Sequence, residues 1–123
     1  MKQIYLAIPY TGIEEESYQL ANKVTVKLLM QGYNVFSPIT HSHVLAKEHG
    51  LKGTWDFWQN IDYQFIDWCD EIWVVIPNKD LDLVLKSTGV MAEIKYGKEK
   101  NKPVKFIRKV TNNIVGFHNY KTI

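Results

Sequence analysis

Ile4-Tyr5-Leu6-Ala7-Ile8-Pro9-Tyr10-Thr11-Gly12 is the stretch whose reading decides the fold. Ile4 to Ile8 run without a break in apolar or aromatic character and Pro9 stops them, the pattern of a strand buried on both faces of a parallel sheet. Pro9 to Gly12 reads as the loop at its C-terminal end. Glu14, Glu15 and Glu16 come next, and acidic residues suit the positive first turn of a helix. Leu20, Ala21, Val24, Leu28 and Leu29 recur at helical spacing, and Gly32 ends the element. Tyr33-Asn34-Val35-Phe36 makes a second strand, broken by Ser37-Pro38. Strand, helix and strand within about forty residues open a three-layer, doubly wound α/β fold.

Further along, Thr40 to Gly53 carries His41, His43 and His49 and reads as a short helix or a lid. A clear helix begins at Trp55, with Trp58, Ile61, Phe65, Ile66 and Cys69 as its apolar stripe and Asp62 on that same stripe. Glu71 to Ile76 is the third strand, closed by Pro77. Asn78 to Lys86 reads as a loop, and a helix runs from Ser87 to about Lys100. Asn101-Lys102-Pro103 turns into the last clear strand, Val104 to Ile107; the remainder to Ile123 is a short strand or a docked tail. The expectation is one domain over residues 1–123, a mostly parallel sheet of four or five strands in the order 2-1-3-4, and a site between strands 1 and 3. Ligands of such sheets bind outside the C-terminal strand ends, where strand order reverses.

Composition narrows the function. A chain of 123 residues builds one real core and not two. The net charge of +2 is too small to imply nucleic acid or a membrane surface. Ile72 to Pro77, the longest apolar run, is far below membrane-spanning length, and the N-terminal run is too short for a signal peptide. The single cysteine, Cys69, excludes an internal disulfide and a cysteine zinc site and fits a reducing, cytoplasmic compartment. Lys95, Lys98, Lys100, Lys102, Lys105, Arg108 and Lys109 form a basic run that, with Glu99 interleaved, reads as a solvated face. One His41-x-His43 pair without fitting further ligands is weak as a metal site, so those histidines are assigned to the pocket and no metal or organic cofactor is expected.

The chemistry gathers at Lys86-Ser87-Thr88-Gly89-Val90-Met91-Ala92-Glu93-Ile94. Ser87 is an N-cap candidate, Gly89 permits close approach to the backbone, and the first helical turn is an anion site. Glu93 follows Gly89 by four residues and so shares its helix face, beside Val90, Ile94 and Gly97. A glutamate at the base of a polar pocket can attack an electrophilic carbon, for sugars the anomeric carbon. Asp62 is the candidate acid for the leaving group, since a charge on a buried helix face is costly unless paired or used. Its structural alternative is a buried cap or a hydrogen bond to Tyr or Trp. Tyr5 could orient the nucleophile or be a core tyrosine with one satisfied hydrogen bond. Asp70 reads as a helix cap or a loop contact.

These residues carry a resemblance. Ile4-Tyr5-Leu6-Ala7, Asp62 with Asp70-Glu71-Ile72 eight residues on, Ser87-x-Gly89-Val90-x-x-Glu93-Ile94, Gly97 and Lys102-Pro103-Val104 occur in order. Over most of residues 1–108 the chain resembles the nucleoside 2-deoxyribosyltransferase superfamily. It is especially similar to the small 2'-deoxynucleoside 5'-phosphate N-hydrolases and to an uncharacterised bacterial and phage branch beside them. The resemblance implies Glu93 as nucleophile, Asp62 as acid/base near the departing base, and Tyr5 as support for the glutamate. Ser87 stands where transferases of free nucleosides carry an aspartate and the monophosphate hydrolases a serine, which implies a 5'-phosphate and water as acceptor. The hydrolases' first-loop arginine is missing from Pro9-Tyr10-Thr11-Gly12, leaving Lys86 or a histidine as substitute. Transferases also draw on C-terminal residues of a neighbouring subunit, a part open to Asn119 and Tyr120. The family forms dimers or larger oligomers, and Trp55, Trp58, Trp68 and Trp73 offer material for an interface.

The expected function is cleavage of the base–sugar bond of a (deoxy)nucleoside 5'-monophosphate. Glu93, Asp62 and Tyr5 would be catalytic, and Pro9, Tyr10, Thr11, Gly12, His41, His43, Ser87 and Gly89 would bind the substrate. Base exchange between nucleosides and a non-catalytic nucleotide sensor stand as alternatives. A phosphoribohydrolase of the lysine-decarboxylase-like group is disfavoured because its Pro-Gly-Gly-x-Gly-Thr loop is missing.

Overall fold

A computed structural model describes residues 2–110 and 115–118. Its strands are β1 (Gln3–Ala7), β2 (Asn34–Phe36), β3 (Glu71–Val75), β4 (Val104–Val110) and β5 (Val115–His118). Its helices are α1 (Glu14–Met30), α2 (Pro38–His49), α3 (Trp55–Trp68), α4 (Leu81–Leu85) and α5 (Thr88–Glu99). The sheet has the order β2-β1-β3-β4-β5. The first four strands pair in parallel, and β5 lies antiparallel on β4. The doubly wound α/β architecture and the 2-1-3-4 order expected from the sequence are therefore present, and the segment left as strand or tail contributes an antiparallel edge strand.

Alternation along β1 explains why its apolar run has no polar break. Tyr5 and Ala7 point to one face, where Ile66 of α3 and Val90 and Ile94 of α5 meet them. Ile4, Leu6 and Ile8 point to the other, against Ala21, Val24 and Leu28 of α1. A central strand covered on both sides by helices has no solvated face to mark with polar residues. Gly97 lets α5 lie close to the sheet, because a Cβ there would come within 2.2 Å of Ile72 Cδ1.

Of the two readings open for Thr40 to Gly53 the structure has the helix, and the segment expected as a loop, Asn78 to Lys86, also contains one. Ser37 caps α2, its side chain accepting from Thr40 N at 3.3 Å, and Pro38 occupies the first turn. A proline that breaks a strand is also preorganised to start a helix, and Gly50 at φ 74° ends it. Between Asn78 and Lys86, a 3₁₀ turn over Pro77–Lys79 leads into α4, capped by Asp80 and pinned by the fully buried Val84. Ile61 and Leu29, placed on buried stripes by spacing, are 39% and 51% exposed. Of the tryptophans offered as interface material, Trp58 and Trp73 are buried and Trp68 is exposed, beside Phe57 and Ile61 of the same helix. No described helix is long and apolar enough to cross a membrane.

At the N-terminal strand ends, Glu71 is buried yet charged. Lys2 and Lys105 form ion pairs with it and Trp73 Nε1 donates to it at 2.8 Å. Burial alone would raise this carboxyl, but hydrogen bonds from Lys2, Trp73 and Lys105 outweigh it and lower the pKa to about 2. Asp70 accepts from the β1 backbone at Gln3 N, 2.8 Å away, so it steadies a strand and does not cap a helix. A carboxylate lowered in the folded state stabilises it above the ordinary carboxylate range and loses that contribution as pH falls through its folded value. Glu71→Gln should therefore destabilise the protein at neutral pH by on the order of 1–2 kcal/mol, with allowance for screening of the half-exposed lysines. Urea midpoints against pH should show the gap between variant and wild type closing as pH falls from about 4.5 towards about 2.

Candidate active site

The C-terminal end of β1, the N-terminus of α5 and the inner face of α3 enclose a cavity of about 450 Å³. A volume of this order accommodates a small organic ligand. Pro9, Tyr10 and Thr11 line it from the first loop, and Ser17 of α1 ties that loop down by donating to Pro9 O. Asp62 enters from α3, and Lys86, Ser87, Gly89 and Glu93 from the start of α5. A shallower groove continues outward past Glu15 and Lys47.

Glu93 stands at the base, 6% exposed, and accepts a hydrogen bond from the Tyr5 hydroxyl. Tyr5 itself has no exposed surface. Burial pushes the Glu93 carboxyl well above the usual carboxylate range, the Asp62 charge adds to the rise, and the Tyr5 hydrogen bond opposes it. Burial likewise raises Asp62 to about 7, again against a hydrogen bond from Tyr5. The two carboxyls and the phenol thus form one coupled group that retains protons near neutrality.

The start of α5 turns free backbone donors towards the cavity. The Ser87 hydroxyl accepts from Val90 N at 3.2 Å, and Ser87 O receives Met91 N. Helix geometry then leaves the Thr88 and Gly89 N–H groups as donors at the cavity, with Lys86 beside them. Gly89 also faces Trp55 of α3: a Cβ there would lie 3.4 Å from Trp55 Cε3, in van der Waals contact with the indole.

Most of the expected site residues converge, and two do not. Tyr5, Pro9, Tyr10, Thr11, His43, Asp62, Ser87, Gly89 and Glu93 line the cavity or touch a group that does. His41 is exposed and turned to Phe36 and Trp58, because α2 is a regular helix and residues two apart lie on nearly opposite sides of it. The pair therefore cannot chelate a metal through neighbouring side chains. Gly12 only turns the chain, at φ 88°, and its N–H is taken by Glu14 Oε2 at 2.6 Å. Asn119 and Tyr120 lie outside the described residues. Trp55 and Trp58, both lining the cavity, were read as helix start and core. Their helical spacing to Asp62 was the signal, since 55, 58 and 62 share one face.

Comparison with known proteins bears on the family and the fold. A family model described as a domain of unknown function (DUF1937) matches residues 2–109. A solved 2-deoxyribosyltransferase from the psychrotolerant bacterium Bacillus psychrosaccharolyticus is similar in fold, with a TM-score of 0.60 and 25% identity. The likeness covers 89% of this chain and 77% of that one. No curated protein sequence matches.

A carboxyl whose pKa is raised on folding binds a proton that the unfolded chain releases, so it stabilises less as pH rises. Wild-type stability should fall as pH rises from about 4 through about 7, on account of Asp62 and Glu93. Asp62→Asn should match the wild type near about pH 4 and exceed it at about pH 8, by on the order of 2 kcal/mol. Thermal or urea midpoints across that range would measure the difference; a variant less stable than wild type at alkaline pH would contradict it.

Proposed function

Because the chain belongs to the DUF1937 family, which carries no assigned activity, and shares the fold of a 2-deoxyribosyltransferase, we propose from its own site that it is an N-glycosidase acting on a (deoxy)nucleoside 5'-monophosphate. The observation that carries this reading is the buried Tyr5–Glu93 pair, set with Asp62 at the floor of a cavity whose rim is a helix N-terminus. Glu93 attacks the anomeric carbon as the bond to the base nitrogen breaks, and Asp62 donates its proton to the departing base. Water then attacks the same carbon and displaces Glu93, with Asp62 taking the water proton. The productive form has one proton on Asp62 and none on Glu93. Tyr5 favours that form by donating to Glu93.

Phosphate would sit at Thr88 N and Gly89 N, with Ser87 and Lys86 as side-chain donors. Lys86 supplies the cation that the first loop lacks. Trp55 and Trp58 offer apolar faces for the flat part of the ligand. Base exchange is the second reading, favoured by the solved 2-deoxyribosyltransferase; a second base would then replace water at the anomeric carbon. We take the reaction to need neither metal nor organic cofactor. The exposed Phe57, Ile61 and Trp68 along α3 are the face we assign to self-association in a homo-oligomer.

Chromatography of purified protein incubated with nucleosides and their 5'-monophosphates, with and without a free base, would separate these readings. Glu93→Gln should lower base release by roughly a thousandfold or more. It should match the wild type in stability near about pH 4 and exceed it near about pH 8, because the carboxyl is raised on folding and an amide takes up no proton. Full turnover in that variant would refute the mechanism. Tyr5→Phe removes a hydrogen bond that lowers both carboxyl pKa values, so the limbs of its kcat/KM profile should shift to higher pH. An unshifted profile would make Tyr5 a packing residue.

A further inference from the structure

The mechanism above leaves one polar chain at the cavity unused. His43 of α2 is 4% exposed, and its ring stacks on Tyr18 of α1 with centroids 4.3 Å apart. Both ring nitrogens are engaged: Nε2 lies 3.2 Å from Glu15 Oε2, and Nδ1 lies 2.6 Å from the Tyr10 hydroxyl. Lys47 Nζ stands 3.4 Å from the same Glu15 oxygen. Hydrogen bonds from Gln19 and then His43 hold the Glu15 carboxyl below its usual value, so it is ionised and can only accept. Nε2 of His43 must therefore carry a hydrogen. In the neutral ring Nδ1 is then an acceptor, and the Tyr10 hydroxyl must donate to it. The one proton of Tyr10 is committed to His43, and what it retains for the cavity it lines is lone pairs.

We infer that Tyr10 is a specificity-determining residue that selects a ligand group able to donate a hydrogen bond, its polarity set by His43 and Glu15 as positioning residues. The donor is an exocyclic amine of the base or a hydroxyl of the sugar. The inference deepens the proposed function and rests on it for the class of ligand. The charged groups around this chain are Glu14 and Glu15 of α1, Lys47 of α2 and, across the outer groove, Asp56 of α3. Burial, then Glu14 and Glu15, raise the Tyr10 pKa, so the phenol keeps the proton it donates.

The test is calorimetric binding to the whole protein of ligand pairs that differ in one donor. One arm compares deoxynucleoside monophosphates bearing an amino base with counterparts that simply lack the amino group, adenine against unsubstituted purine and cytosine against pyrimidin-2-one. The other compares a sugar with its 3'-deoxy form. At about pH 8 the donor-bearing member of one arm should bind about three- to tenfold tighter, and the arm that shows the ratio identifies the source. Tyr10→Phe should abolish the ratio. Glu15→Gln, at a half-exposed position where an amide can donate as well as accept, should shrink it by leaving the His43 tautomer unset. Equal loss for every ligand in Tyr10→Phe would overturn the inference. Base release without a Tyr10-dependent ratio would overturn it and spare the glycosidase reading. A Tyr10-dependent ratio without base release would do the reverse, and failure of every ligand to bind would overturn both.

Discussion

The Tyr5 hydroxyl lies where no water reaches it. A phenol buried in the central strand of a sheet must find a polar partner within the protein, or folding bears the cost of stripping it from water. Its partner is Glu93, on a helix far along the chain. That bond ties β1 to α5 and helps set how α5 lies over the sheet. Gly97, one turn further along, lets the same helix settle against Ile72. With α5 so placed, its N-terminal N–H groups and the Ser87 cap come to the cavity rim. One packing arrangement thus delivers a buried carboxyl and an anion-binding helix end to the same space.

Carboxyls at the two ends of the sheet are treated in opposite ways. At the N-terminal strand ends Glu71 is wrapped by Lys2, Lys105 and the Trp73 indole and held in its charged form. At the C-terminal ends Glu93 and Asp62 are buried close enough that the Asp62 charge raises the Glu93 pKa. The first arrangement stabilises the fold at neutral pH, and the second detracts from it. Carboxyls kept in an unfavourable environment, in a cavity and next to a donor that favours one ionised form, are what the proposed mechanism draws on. The coupled titration of such a pair makes stability depend on pH, and under that mechanism activity would follow the same protons.

Legibility in the sequence followed the range of the interactions concerned. β1, β3 and α1 were plain because burial on two faces or one stripe imposes periodicity on consecutive residues. Glu93 and Ser87 were legible for a similar reason, since their relation is internal to one helix. Assigning both His41 and His43 to the pocket suits a lid and not a helix: in a regular α2 two residues that far apart point to nearly opposite sides, so the pair must diverge. Ile61 and Leu29 had the right spacing for burial and lie at the margins of their stripes, which spacing does not reveal. Trp55 against Gly89 is a contact between two helices, and neither residue alone announces it.

What the sequence determined by itself was the four parallel strands and their order, the helices α1, α3 and α5, and the carboxyls and helix cap placed at the C-terminal edge of the sheet. These follow from local periodicity, from the restricted backbone of Gly and Pro, and from the cost of burying charge, all of which act over a few residues. Only the tertiary structure decided that Tyr5 donates to Glu93, that the Trp55 indole packs against Gly89, and that Glu15 and Tyr10 meet the two ring nitrogens of His43. Each of those depends on distances between residues remote in the chain. Such distances are set by how helices settle on a twisted sheet, a global balance of packing that no short stretch of sequence encodes.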